Sequence, residues 1–149
     1  MKKIAVMLLT CCALASAIGA EQQWLTNLPQ AVAQAQKENK MVLMNFTGSD
    51  WCGWCIKFKK ETLDTPEFSA YAAKNLVLVE VDFPHKPQSA SLKAANKTIG
   101  DHYKVSGYPT FVVLSKDGKE IGRQVGYKAG GAAKFISLLD AFKAHSASP

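Results

Sequence analysis

Cys52 and Cys55 are the residues of this chain best suited to chemistry; they lie in the stretch GSDWCGWCIKF, residues 48 to 58. A cysteine reacts as its thiolate, and a free thiol with a pKa near 8.5 is only about 3% ionised at neutral pH, so a reactive pair needs a setting that favours the anion. Two cysteines at this spacing suit a structural staple, half of a metal site or a redox centre. As a staple the pair is inefficient. Closing about four residues contributes roughly 2 kcal/mol in the chain-entropy account, against roughly 3 for a 15-residue loop, and the tight ring adds strain. A structural zinc site needs two further ligands, and none stands at ligand spacing. His85, His102 and His145 are scattered, each in a stretch suited to the surface.

The other two cysteines, Cys11 and Cys12, fall in a segment that reads as a secretory leader. Lys2 and Lys3 supply the positive start, Ile4 to Leu14 the apolar run, and Ile18-Gly19-Ala20 a small-residue cleavage site, preferred over Ala15-Ser16-Ala17. The apolar run is shorter than a bilayer is thick, which argues against a retained anchor. Thr10 and Cys11 are poor occupants of the position before a lipidated cysteine, which argues against a lipoprotein. We therefore expect residues 1–20 to be removed and residues 21–149 to form the working domain, exported, and periplasmic in a bacterium with two membranes. Cys52 and Cys55 are then the only thiols left.

The chain has 149 residues, 48% hydrophobic and 20% charged, which suits one domain and excludes disorder or two separate cores. Loss of two of the 18 basic residues with the leader leaves 16 against 12 acidic, a net charge of +4. The excess is spread along the chain without a dense run, so a nucleic-acid partner is not expected.

The elements around the cysteines follow from apolar spacing. Leu25, Leu28, Val32 and Ala35, with Asn27 as cap and Pro29 in the first turn, predict a helix over 27–39. Met41 to Phe46 is a short apolar run suited to a strand buried on both faces, and it leads through the turn 47–50 into a helix beginning near Cys52. Pro66 breaks and restarts that helix, with Phe68, Tyr71 and Ala72 on one face. Leu76 to Val81 predicts a second strand, Phe83 to Pro87 a loop, and Ser89 to Tyr103 a helix despite Gly100. Thr110 to Leu114 and Glu120 to Val125 flank Asp117-Gly118, a hairpin signal. A last helix over 131–145 presents Phe135, Ile136, Leu138, Leu139 and Phe142 as core residues. The order helix, strand, helix, strand, helix, strand, strand, helix implies an α/β fold, a central mixed sheet flanked by helices.

A C-x-x-C at the start of a helix that follows a buried strand, together with VSGYPTFVVL at residues 105 to 114, resembles the thioredoxin superfamily. The resemblance spans Trp24 to His145. GSDWCGWC is most similar to exported bacterial thioredoxin-like proteins with a tryptophan before each cysteine. It implies a thioredoxin-like fold over 21–149, a redox-active Cys52–Cys55 disulfide with no other cofactor and no metal, and a cis peptide at Tyr108-Pro109 facing the cysteines. Cys52, at the helix N-terminus where unpaired amides favour negative charge by about 0.3 to 2 kcal/mol, is then the nucleophile. Cys55, one turn inside and more buried, is the resolving thiol. Trp51 and Trp54 form an apolar rim for substrate, Gly53 allows close approach, and Tyr108 and Pro109 shape a groove for an extended substrate strand. Asn45 stands where thioredoxin itself has a buried aspartate that shuttles the resolving thiol's proton. That leaves water, Glu80 or a nearby lysine for the task.

The function implied is an exported thiol–disulfide oxidoreductase acting on protein disulfides through a mixed-disulfide intermediate. Gly53-Trp54 contains no histidine, unlike the motifs of strongly oxidising and isomerising relatives, and 129 mature residues leave no room for an isomerase's dimerisation domain. Reduction is thus the expected direction, by a monomer that draws on an electron donor, a membrane protein among the candidates. The contrasting readings are a non-catalytic binding module or holdase using the groove beside Pro109, and a dedicated reductant of one client such as apocytochrome c.

Overall fold

The computed structural model describes residues 22–146. The expected leader, its cleavage site and Cys11 and Cys12 lie outside the described residues. Along the chain run β1 (Trp24–Leu25), α1 (Leu28–Glu38), β2 (Met41–Thr47), α2 (Gly53–Phe58), α3 (Pro66–Asn75), β3 (Leu76–Asp82), α4 (Ala90–His102), β4 (Thr110–Leu114), β5 (Glu120–Val125) and α5 (Gly131–Ser146). A π-helical turn, Lys59–Leu63, carries α2 onward to α3.

Local chemistry sets most of these boundaries. The Asn27 side chain accepts from the Gln30 N–H at the start of α1, Thr65 from Phe68 at the start of α3, and Ser89 from Leu92 at the start of α4. Pro29 and Pro66 sit in first turns, where a missing N–H costs no helical bond. In the β4–β5 hairpin Gly118 takes φ +78°, a conformation that suits the predicted Asp117-Gly118 turn.

The strands form one sheet in the order β1-β3-β2-β4-β5. β1, β3 and β2 are parallel, while β4 runs antiparallel to β2 and β5 antiparallel to β4. β2 is buried along its whole length, as a strand covered on both faces must be. On one face Leu43, Leu78, Phe111 and Val113 meet Phe58, Phe68, Phe135 and Leu139 from α2, α3 and α5. On the other, Val42, Met44, Val79 and Val112 meet Ala31 and Ala35 of α1, with Ile99 of α4 packed alongside.

Leu25 does not extend the apolar stripe of α1. It belongs to the two-residue strand β1, paired with Val79 while Trp24 pairs with Leu78. Two residues carry too little pattern to show a strand, and only the free edge of β3 gives them one. The sheet therefore has five strands where the sequence shows four.

Candidate active site

β2 ends at Thr47 and the chain turns through residues 48–51 into α2. The Cys52 N–H donates to the Gly48 carbonyl at 2.8 Å, which closes the turn. Cys52 is the N-cap of α2, with extended backbone, and its sulfur accepts from the Cys55 N–H at 3.2 Å. The two cysteines form a disulfide, with Cα atoms 5.2 Å apart. They differ little in burial, 7% and 5% exposed, so burial does not distinguish them. Position does: Cys52 caps the helix end where amides lack partners, and Cys55 lies within its first turn.

The turn is fastened to the end of β3 and to the loop that follows it. Asp82 accepts from the Ser49 N–H at 2.9 Å and from its hydroxyl, and Asp50 accepts from the N–H groups of His85 and Lys86, both at 2.9 Å. Those two amide bonds, that of His85 foremost, hold the Asp50 carboxyl below the usual carboxylate range. The Trp51 indole donates to the Phe83 carbonyl at 2.7 Å. The same ring stacks on the His85 imidazole at 5.3 Å and meets Tyr108 edge-on at 5.8 Å. It lies across Gly48 so closely that a Cβ there would fall 2.3 Å from Trp51 Cε2.

The Tyr108–Pro109 peptide is cis. Pro109 is buried and Tyr108 half-buried, and the Trp51 contact brings this step to the turn that carries Cys52. On the other flank Trp54 is 58% exposed and stacks on Tyr127 at 5.0 Å. Trp51 is 42% exposed, and Gly53 also faces solvent. The Lys57 ammonium lies 5.6 Å from the Trp54 ring centre and 5.1 Å from that of Tyr127. The Tyr127 hydroxyl donates to Glu61, and this bond, ahead of burial, raises its pKa.

Asn45 is buried in β2, in register with Glu80 and Phe111, and its Oδ1 has no hydrogen-bond partner among the described residues. Glu80 is half-buried on β3. Burial first, then the Asp82 charge, pushes its carboxyl upward, while Lys59 pulls it back. His85, His102 and His145 are all exposed. Among the described residues no group of three or more His, Cys, Asp or Glu side chains is placed to hold a metal ion.

Residues 28–143 match the family model described as a thioredoxin-like domain. The chain belongs to this thioredoxin-like family. It is 37% identical over 123 residues to a protein of Chlamydia pneumoniae named disulfide bond reductase DsbH, an alignment covering 80% of this chain and 72% of that one. Among solved structures, one titled DsbH oxidoreductase superposes with a TM-score of 0.76 at 35% identity, covering 83% of this chain and 85% of that one. A thioredoxin from Thermus thermophilus superposes with a TM-score of 0.63 at 25% identity, covering 81% and 87%. The α/β fold expected from the sequence, a mixed sheet between helices, is the fold observed.

Sequence reasoning did not find Asp50, Asp82, His85 or Tyr127. Each acts across loops distant in sequence, and none carries a local pattern that marks it.

Proposed function

We propose that this chain is an exported thiol–disulfide oxidoreductase that reduces protein disulfides. The observation that carries the reading is the Cys52–Cys55 disulfide at a helix end, with a backbone N–H directed at the Cys52 sulfur. In the reduced protein the same N–H and the helix end favour a thiolate on Cys52 by about 0.3 to 2 kcal/mol. That anion attacks one sulfur of a substrate disulfide, forming a mixed disulfide and releasing the other substrate sulfur as a thiolate. Cys55 then loses its proton, attacks the Cys52 sulfur and closes the Cys52–Cys55 bond as the second substrate thiol departs. Two electrons pass from the protein to the substrate, and a second dithiol, the electron donor, restores the pair.

Pro109 lacks an N–H and leaves the backbone beside Tyr108 open to an extended substrate strand. Reduction is favoured over oxidation because Gly53-Trp54 contains no histidine, and the relative from Chlamydia pneumoniae is named a disulfide bond reductase. The leader pattern at residues 1–20 supports export.

Equilibration with glutathione or dithiothreitol buffers tests the direction. A potential near the roughly −270 mV of thioredoxin supports a reductase, and one near the roughly −120 mV of a strong oxidant overturns it. Cys52→Ser should bring reduction of insulin disulfides to background. If the variant keeps full partner capture and full cellular effect, the chain is a binding module instead. In the reduced protein at mildly acidic pH, iodoacetamide should modify Cys52 alone, and equal labelling of Cys55 would count against the assigned roles.

A further inference from the structure

The fold gathers charge that the sequence spreads. Lys37, Lys74 and Lys143 lie in the last turns of α1, α3 and α5, and Lys116 and Lys119 stand on the turn between β4 and β5. All five are exposed. Met41 at the start of β2 is in register with Leu76 at the start of β3, and Val42 with Leu114 at the end of β4, so these segments close one end of the sheet. A cleft at that end is lined by Lys40, Lys116 and Lys143, and Gly118 of the hairpin sits beside Val32 of α1. With Lys40, six lysines share this pole with two carboxylates, Glu38 and Asp117. Lys40 pairs with Glu38 at 2.6 Å, whereas the other five form no ion pair among the described residues. The Cys52–Cys55 disulfide is at the opposite end. β2 runs seven residues from the basic pole to Thr47, about 20 Å at the rise of a strand. Among the described residues the exposed large apolar side chains, Trp51, Trp54, Ile56 and Val125, stand at the disulfide end.

We propose that the basic pole is a docking surface for an anionic lipid bilayer. The inference goes beyond the redox reading and does not depend on it. A cation in a helix's last turn meets the negative end of the dipole, which accounts for Lys37, Lys74 and Lys143 one by one. It does not account for Lys116 and Lys119, which belong to no helix. The composition of the pole selects the partner. Protein interfaces are rich in aromatic residues, Met and Arg and poor in Lys, and nucleic acids are read by Arg and by stacked rings. Here lysines cover an open surface with no exposed large apolar residue among them. Such a surface answers to a field of negative charge, which phospholipid headgroups supply. Docked by this end, the protein holds its disulfide about 20 Å from the headgroups and turned away from them.

The test is co-sedimentation of the processed protein, residues 21–149, with vesicles of equimolar phosphatidylglycerol and phosphatidylcholine and with vesicles of phosphatidylcholine alone. The wild type should bind the anionic vesicles at about 0.01 M salt, where the Debye length is ~30 Å, and leave them at about 1 M, where it is ~3 Å. It should not bind the neutral ones. A variant carrying Lys37→Gln, Lys116→Gln, Lys119→Gln and Lys143→Gln should partition more weakly by roughly two to three orders of magnitude, at about 5-fold per lysine. Arg in place of the same four should preserve binding. Lys60→Gln, Lys93→Gln, Lys128→Gln and Lys134→Gln together, at exposed positions outside the pole, give the same net charge and should cost less than about 5-fold. No binding at low salt, equal binding to neutral vesicles, or equal losses in the two glutamine variants overturns the docking surface. Tighter binding to polyglutamate than to the anionic vesicles at equal charge concentration gives the pole to an acidic protein instead. On the vesicle, Cys52 of the reduced protein should stay open to iodoacetamide, and its protection there would overturn the orientation.

Discussion

The two tryptophans that flank Cys52 are held in different ways. Trp51 is fastened by polar chemistry: its indole N–H is bonded to Phe83, its ring is laid over Gly48, and Asp50 and Asp82 tie its turn to the neighbouring loop. Trp54 is held by ring stacking and a nearby ammonium, and more of it faces water. A directional hydrogen bond fixes Trp51 narrowly, whereas a stacked pair such as Trp54 and Tyr127 holds over a wider range of ring separations. One flank of Cys52 is thus a set wall and the other an adaptable shoulder.

The contrast breaks most readily at Gly48. Gly48→Ala places a Cβ inside the Trp51 ring, and overpacking of this kind should cost about 1 to 3 kcal/mol, read as a lower midpoint in urea unfolding. Asp82→Ala removes the acceptor of two Ser49 bonds at a half-exposed position and should cost about 1 kcal/mol by the same measurement. On the other flank Trp54→Ala removes an exposed stack on Tyr127 and should cost only about 0.5 kcal/mol, the low end for a stacked aromatic pair. A loss at Trp54 as large as that at Gly48 would erase the distinction between wall and shoulder.

Acidity should separate the flanks without large changes in stability. The Asp50 carboxyl is lowered by the amides it binds, so its contribution is present above the ordinary carboxylate range and is lost as pH falls through the lower folded value. The Tyr127 phenol is raised by Glu61, so its contribution is present below the ordinary tyrosine range and is lost as pH rises through the higher folded value. With Trp24 replaced by phenylalanine, variants that keep only Trp51 or only Trp54 should report this by fluorescence. The Trp51 signal should move in acid, in a way Asp50→Asn abolishes, and the Trp54 signal in alkali, in a way Tyr127→Phe abolishes.

The sequence itself determined the position of nearly every helix and strand, the sheet hairpin and the placement of Cys52 at a helix start. These follow from apolar spacing, caps and turn residues that act over three or four positions, so a linear reading reaches them. The buried run Met41–Phe46 and the capped helix after Asn27 are examples. Only the tertiary structure decided that Leu25 joins a strand, that Asp50 and Asp82 reach across separations of 33 to 36 residues, and that Tyr127 lies under Trp54. Such contacts exist because the sheet brings its loops to one end. A side chain that gains its partner through packing leaves no periodic trace along the chain.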